Sequence, residues 1–284
     1  MIHNKFWILT ARSVDLEVTD MKYIVDHDLH IHSNISSCSF GEEQTPQRIL
    51  KYAEENGFKK ICLTDHFWDD KVCEAIPWYA EQNFEHISVA KPLPQSDKVQ
   101  FLFGCETEIR HDLVLGVAKE RFDEFDFIII PTTHLSFEDF TITERDNVSF
   151  KARAEAWVRR LDFVLSSDLP FHKIGIPHLT CGLISPLIEQ RYEVVKEIPE
   201  NEMYRLFKQA AKVGVGIELN SHDLMFADSD ASVALVPYQI AKECGCKFYC
   251  GSDSHEVEHF EYAKDMLERA VDFLDLTEDD KFHI

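Results

Sequence analysis

The chain predicts an α/β protein in which parallel strands close, or nearly close, into a barrel. Three observations carry that prediction. One unit recurs along the sequence: an amphipathic helical pattern, a glycine, a short apolar run, then a polar residue able to bind metal. Such runs number about seven and alternate with helical patterns, as the strands of a parallel sheet do. Each polar cluster falls at the C-terminal end of its run, where barrels of this kind place their chemistry. The length, 284 residues, is one that α/β barrels reach as a single domain.

Residues 1–20 precede a second methionine, Met21, and read as an N-terminal extension of uncertain structure ahead of one barrel domain, 21–284. The first strand follows as YIV and then DHDLHIHS, Asp26 to Ser33. Strand side chains alternate, so His30 and His32 share a face and two imidazoles converge from one strand end. In TPQRILKYAEENG, Thr45 suits the N-cap and Pro46 the first turn. Ile49, Leu50 and Ala53 share one face before Gly57 stops the helix. The strand KKICLTDH then delivers Asp65 and His66. VQFLFGCETE ends near Glu106, DFIIIPTTH at His134 and HKIGIPH at His178. MYRLFKQAAKVG with VGIELNSH delivers Glu218 and His222; VALVPYQIAKECG with CKFYCGSDSH delivers Asp253 and His255. Between these units, GVAKERF suggests a small hairpin beside the third strand and SFEDFTITERDN (136–147) a lid. FKARAEAWVRRLDFVLSS reads as a long helix and AKDMLERAVDFL as the closing one.

The formal charge is −22, from 29 basic and 51 acidic residues. So acidic a surface repels phosphate backbones and anionic lipid, which argues against stable nucleic-acid binding or membrane capture. It leaves room for a local pocket that takes one small phosphorylated molecule. No apolar run approaches the ~20 residues of a membrane span, and the N-terminal FWIL lacks the layout of a secretory signal. The eight cysteines are scattered, mostly in apolar runs, the pattern of reduced packing cysteines in a cytoplasmic protein. A helix end followed by a strand accounts for Cys244, Cys246 and Cys250 better than a zinc site does.

A barrel would gather His30, His32, His66, Glu106, His134, His178, Asp253 and His255 at one end. These six imidazoles and two carboxylates exceed the three protein ligands of a single catalytic zinc. They suit two or three divalent ions (zinc, manganese or iron), with Glu106 bridging a pair. Asp65 reads as a carboxylate that orients a ligating imidazole.

In this order, DLHIHS, LTDH, GCE, a histidine closing an apolar strand, PH and GSDSH resemble the PHP superfamily, named for polymerase and histidinol phosphatase. The resemblance spans roughly residues 24–280, and the tail LTEDD shares it. It implies a distorted seven-stranded (β/α)7 TIM-like barrel, the PHP fold, with a trinuclear metal centre. Carried over by motif, His30, His32, Glu106 and Asp253 hold one metal. Glu106 bridges to a second, approached by His134 and His255, while His66 and His178 serve the third. One position departs from the family pattern: six residues after His32, where many relatives have Asp or His, stands Cys38, a ligand candidate that favours softer metals.

The resemblance implies a metal-dependent phosphoesterase, similar to histidinol-phosphate phosphatase, hydrolysing a small-molecule phosphate monoester. Two ions roughly 3.5–4 Å apart generate bound hydroxide and neutralise the phosphoryl oxygens, so the expected reaction is in-line attack on phosphorus without a phosphoenzyme. His255 is the candidate proton donor to the leaving alkoxide, and Arg110 and Arg145 are candidate phosphate clamps. One alternative is a PHP-type exonuclease or oligonucleotide phosphodiesterase, against which the acidic charge weighs. The other is a non-catalytic regulatory metal-binding domain, against which the filled ligand set weighs.

Overall fold

The computed structural model describes residues 21–39, 41–227 and 229–284; the extension 1–20 lies outside the described residues. Seven strands lie side by side in chain order: β1 (His27–Ile31), β2 (Lys60–Leu63), β3 (Gln100–Glu106), β4 (Phe127–Ile129), β5 (Ile174–Ile176), β6 (Gly216–Asn220) and β7 (Lys247–Gly251). Every neighbouring pair is parallel. The two edges then meet. Asp253 N–H donates to His30 O at 2.7 Å and His32 N–H to Ser254 O at 3.1 Å, so the barrel closes beyond the ends of β1 and β7. Lower in this seam, side chains stand in for the ladder. His27 Nε2 accepts the Cys250 N–H (3.0 Å) and Asp28 accepts the Ser252 N–H (2.9 Å).

Inside the barrel, Leu29, Cys62, Leu102, Phe127, Ile129 and Tyr249 pack together with Phe282 from the C-terminal tail. The inner face turns polar towards the strands' C-terminal ends, where Glu106 and Glu218 are buried. Gly251 makes that change possible: a Cβ there would lie 1.9 Å from Glu218 Oε1. The register of β1 on β2 shifts between Asp28 and Ile31. Leu29 therefore joins the apolar cluster while the next residue, His30, reaches Glu218 and Glu106. A strand irregularity of this kind re-aims a side chain beside a site.

The outer layer follows the amphipathic patterns. Helix α1 (Pro46–Glu55) is capped by Thr45, whose Oγ1 accepts the Arg48 N–H, and buries Ile49, Leu50, Tyr52 and Ala53. Short α2 (Pro77–Ala80) and α3 (Phe84–Ser88) lie between β2 and β3. Ser149 caps α4 (Phe150–Ser166), which buries Arg153 and Arg160 beside Trp157 and Leu161. After α5 (Arg191–Glu197), α6 (Glu200–Val213) ends on Gly214 at φ 78°, a left-handed turn that suits glycine. The segment VALVPYQIAKE is split at Leu235 into α7 (Ala231–Ala234) and α8 (Val236–Glu243), because Pro237 starts a helix but does not continue one. Helix α9 (Ala263–Leu274) closes the ring.

Two expectations change. The hairpin beside β3 is a single antiparallel bridge, Ile109 to Leu115, turned by Leu113 at φ 63°, and Lys119–Glu124 is a 3₁₀ helix. The stretch 136–147 is partly packed rather than a wholly open loop: residues 140–142 are buried, Phe140 against Trp68 and Tyr79, while half of the stretch stays exposed. Among the described residues, no helix is long and apolar enough to cross a membrane.

Candidate metal centre

Four side chains meet at the mouth of the barrel. His30 Nε2 and His32 Nε2 are 3.1 Å apart. From Glu106 Oε2 they lie at 3.6 and 3.3 Å, and from Asp253 Oδ1 at 3.4 and 3.3 Å. Tetrahedral ligands about 2.1 Å from a metal stand about 3.4 Å from each other. These separations are therefore those of donors around one ion. His30 has its other nitrogen engaged, donating Nδ1–H to Glu218 Oε1 at 2.7 Å, so Nε2 is the atom that faces the group. Burial disfavours charge on these rings, but Asp253, Glu218 and Glu106 outweigh it at His30 and push its pKa well above the ordinary value. The pocket demands positive charge.

Glu106 faces two ways. Its Oε2 also lies 3.1 Å from His66 Nδ1, while Oε1 lies 3.1 Å from His178 Nε2 and 3.9 Å from His134 Nε2. One carboxylate thus offers an oxygen to each of two neighbouring donor sets, as a bridging ligand must. His66 Nδ1 is buried and, among the described residues, makes no hydrogen bond, so its contact with Glu106 is close approach without hydrogen-bond geometry. An orphaned, inward-pointing nitrogen fits a metal. Ligand atoms of His32, Cys38, His66 and His255 come within 4.8 Å of one another, and a separate set unites His134, His178 and Cys181. Burial opposes ionisation of Cys38, but His66, His32 and His255 outweigh it and hold its thiol far below the usual range.

The residues converge as the sequence expected, but their partnership differs. His134 stands with His178, their rings stacked 4.8 Å apart, rather than with His255. His66 stands with His255 and Cys38, rather than with His178. Barrel order explains the exchange. His134 and His178 follow β4 and β5, which are adjacent, whereas His66 and His255 follow β2 and β7, the two neighbours of β1. His255 Nδ1 lies 2.7 Å from the Asp253 carbonyl and donates to it, so Nε2 is the ring atom turned towards Cys38, His32 and His66.

Buried carboxylates fix these imidazoles. Glu218, not singled out from the sequence as part of the site, holds His30 with Oε1 and accepts the His178 backbone N–H with Oε2 at 2.7 Å. Glu108 accepts His134 Nδ1–H at 2.9 Å, the Tyr79 hydroxyl at 2.8 Å and Arg160 at 2.5 Å. Glu108 stands two residues after Glu106, just beyond the end of β3, and Glu218 two residues before Asn220 on β6, spacings present in the sequence. Asp65 is buried but bonds Ser33, through N–H at 2.6 Å and Oγ at 2.8 Å. It fixes the loop after β1 and, among the described residues, bonds no imidazole. His178 and Asp253 have positive φ, 29° and 53°, a strained backbone of the kind held at functional sites.

All these donors except His30 and His32 line a cleft of about 450 Å³ with Ser37, Trp78, Tyr79, Ser136, Phe137 and Leu183. Arg110 and Arg145 are not in its lining. Arg110 is held by both oxygens of Asp112 at 2.6 Å, and Arg145 is exposed on the 3₁₀ turn 144–147, so neither guanidinium is placed to clamp a phosphate in the cleft. Behind His178 and Asp253 lies a second cavity, about 440 Å³, lined by Arg191, His222, His259 and Tyr262. Burial lowers the His222 pKa to about 4; among the described residues both its Nε2 and Arg191 Nε are buried without a partner, while Arg191 Nη2 donates to the Tyr192 hydroxyl at 2.9 Å. Nothing in the spacing of the sequence marked Arg191.

Among solved structures, the fold matches histidinol phosphate phosphatase from Lactococcus lactis subsp. lactis, complexed with zinc, L-histidinol and phosphate. Identity is 15% and the TM-score 0.53, over 87% of this chain and 94% of that one, a likeness of fold. No curated protein matches the sequence. The model of the PHP domain matches residues 28–277, from β1 to the tail that seals the barrel, and the chain belongs to the PHP domain family.

Proposed function

We propose that the protein is a metal-dependent phosphoesterase hydrolysing a small-molecule phosphate monoester at a di- or trinuclear centre. The supporting observation is Glu106, one oxygen towards His30, His32 and His66 and the other towards His178 and His134. Bound there, divalent ions such as zinc, manganese or iron supply the positive charge that a phosphate dianion and its attacking water both need. Among the described residues the cleft lining contains no lysine or arginine, so the chain's own cations do not fill that need. Glu218 and Glu108 keep the imidazoles of His30 and His134 oriented, and Ser33 with Asp65 holds the loop that carries Cys38.

The cleft has the size of a small-molecule site. Trp78 and Phe137, with ring centroids 5.5 Å apart and planes inclined by 38°, give it an aromatic wall against which a leaving group can pack. Arg191 lines the adjoining cavity, which shares His178 and Asp253 with the cleft, and is the candidate contact for the part of a substrate that extends beyond the metal centre. The test is hydrolysis of p-nitrophenyl phosphate, histidinol phosphate and a 3′-labelled oligonucleotide, each with manganese, zinc or ferrous iron. Turnover of the monoesters with the oligonucleotide spared is expected. Preference for the oligonucleotide replaces this reading with a nuclease. Bound metal without turnover of any of the three replaces it with a non-catalytic metal-binding domain.

A further inference from the structure

Cys181 lies three residues after His178, and its N–H donates to the His178 carbonyl at 3.1 Å, a turn that folds it back over the histidine. Its sulfur accepts the Leu183 N–H at 3.5 Å and lines the cleft. One ligand atom each from Cys181, His134 and His178 lies within 4.8 Å of the others. Both rings have their Nδ1 atoms occupied, His134 by Glu108 at 2.9 Å and His178 by the Thr133 hydroxyl at 2.8 Å. Each therefore turns Nε2 to the centre, where Glu106 Oε1 waits 3.1 Å from His178. Capping a three-residue turn would explain a serine as well as a cysteine here. It does not explain why the sulfur joins two immobilised imidazoles.

We propose that Cys181 is a metal ligand whose thiolate completes, with Glu106, His134 and His178, a four-donor position. This rests on the metal-centre reading above and extends it. Two nitrogens, one oxygen and one sulfur make a donor set that zinc accepts in tetrahedral geometry. With Cys38 beside His66 and His255, the row of donor sets carries sulfur at both ends and only nitrogen and oxygen between His30, His32, Glu106 and Asp253. Sulfur favours zinc over manganese, so the two ends are the zinc-selective positions.

The experiment reconstitutes the full chain, stripped of metal, with cobalt(II), and reads thiolate-to-cobalt charge-transfer absorption alongside bound cobalt by elemental analysis. Wild type, C38S, C181S and the double variant are compared, with circular dichroism as a check that each is folded. Each single variant is expected to lose about half of the band per bound cluster, and the double variant all of it. A C181S band equal to that of wild type overturns the proposal and leaves the metal centre standing. Wild type that takes up no cobalt overturns both. An independent arm alkylates the protein with iodoacetamide. Cys181 is expected to react several-fold more slowly after zinc loading, and an unchanged rate contradicts ligation.

Discussion

The Nε2 atoms of His30 and His32 stand 3.1 Å apart with Glu106 and Asp253 closing around them. Without a cation between them, two buried imidazoles and two carboxylates can only share protons, an arrangement that costs stability. Metal removal should therefore be visible in folding itself. Chelation with EDTA is expected to lower the melting temperature, and excess zinc to restore it; a ligand at about 1,000 times its Kd stabilises by about 4 kcal/mol. Equal melting temperatures with and without chelator would contradict a metal-supported core.

His66 and Asp253 test the centre from opposite sides. Each offers its donor atoms to the group while the barrel core lies elsewhere, so His66→Ala and Asp253→Ala should remain folded. Both are expected to lose bound metal by elemental analysis and turnover by several orders of magnitude. Unchanged metal content in either variant refutes its assignment.

Glu218 acts on the centre through His30 and the His178 backbone. Glu218→Gln preserves size and removes the charge that fixes the His30 tautomer. A loss of about 10- to 100-fold in metal affinity is expected, as for other carboxylates behind a ligating histidine. Titration with zinc in competition with a chelator measures it. If affinity is unchanged while Gly251→Ala, which crowds the same carboxylate, also has no effect, Glu218 is only a packing group.

The parts of this architecture that were legible in the sequence are those governed by local periodicity. Alternation in DHDLHIHS, the capped pattern of α1 and glycines after helices fix strand ends, and hence the convergence of the histidines. Which histidines share an ion depends on barrel neighbours, so His134 with His178 and His66 with His255 become readable only once strand order is known. The roles of arginines were illegible for a different reason. A guanidinium acts wherever its long side chain reaches, and Arg110 finds Asp112 two residues away, whereas Arg160 crosses to Glu108 and Arg191 turns to the cavity.

Arg191 should separate binding from chemistry. Among the described residues its Nε is buried without a partner, at a cavity that shares His178 and Asp253 with the cleft, and Arg191 is not part of the cleft lining. Arg191→Ala is expected to raise KM for a phosphate monoester by about 10- to 100-fold, the worth of a hydrogen bond to a charged group, with metal content intact. Arg191→Lys should recover part of it. A variant with unchanged KM removes Arg191 from substrate binding.

The seam between β1 and β7 gives the protein a pH dependence of its own. His27 Nε2 accepts the Cys250 N–H at 3.0 Å and Nδ1 donates to Asp26 at 3.0 Å, so the ring is held neutral between two strands. Burial pushes its pKa below the ordinary 6.5, and Asp26 only partly opposes this. A depressed histidine pKa means that the unfolded chain takes up a proton first. The neutral ring's contribution is complete above about 6.5 and is lost as pH falls from there towards the folded value, by at most about 1.4 kcal/mol per pH unit. His27→Gln retains an acceptor for Cys250 and a donor for Asp26 but does not titrate. Every other histidine is common to both proteins and cancels in the comparison. The stability of wild type relative to H27Q, from urea unfolding of metal-free protein at pH 7.5, 6.0 and 5.0, should therefore fall steadily on acidification. A difference constant across that range would mean that His27 does not stay neutral in the fold.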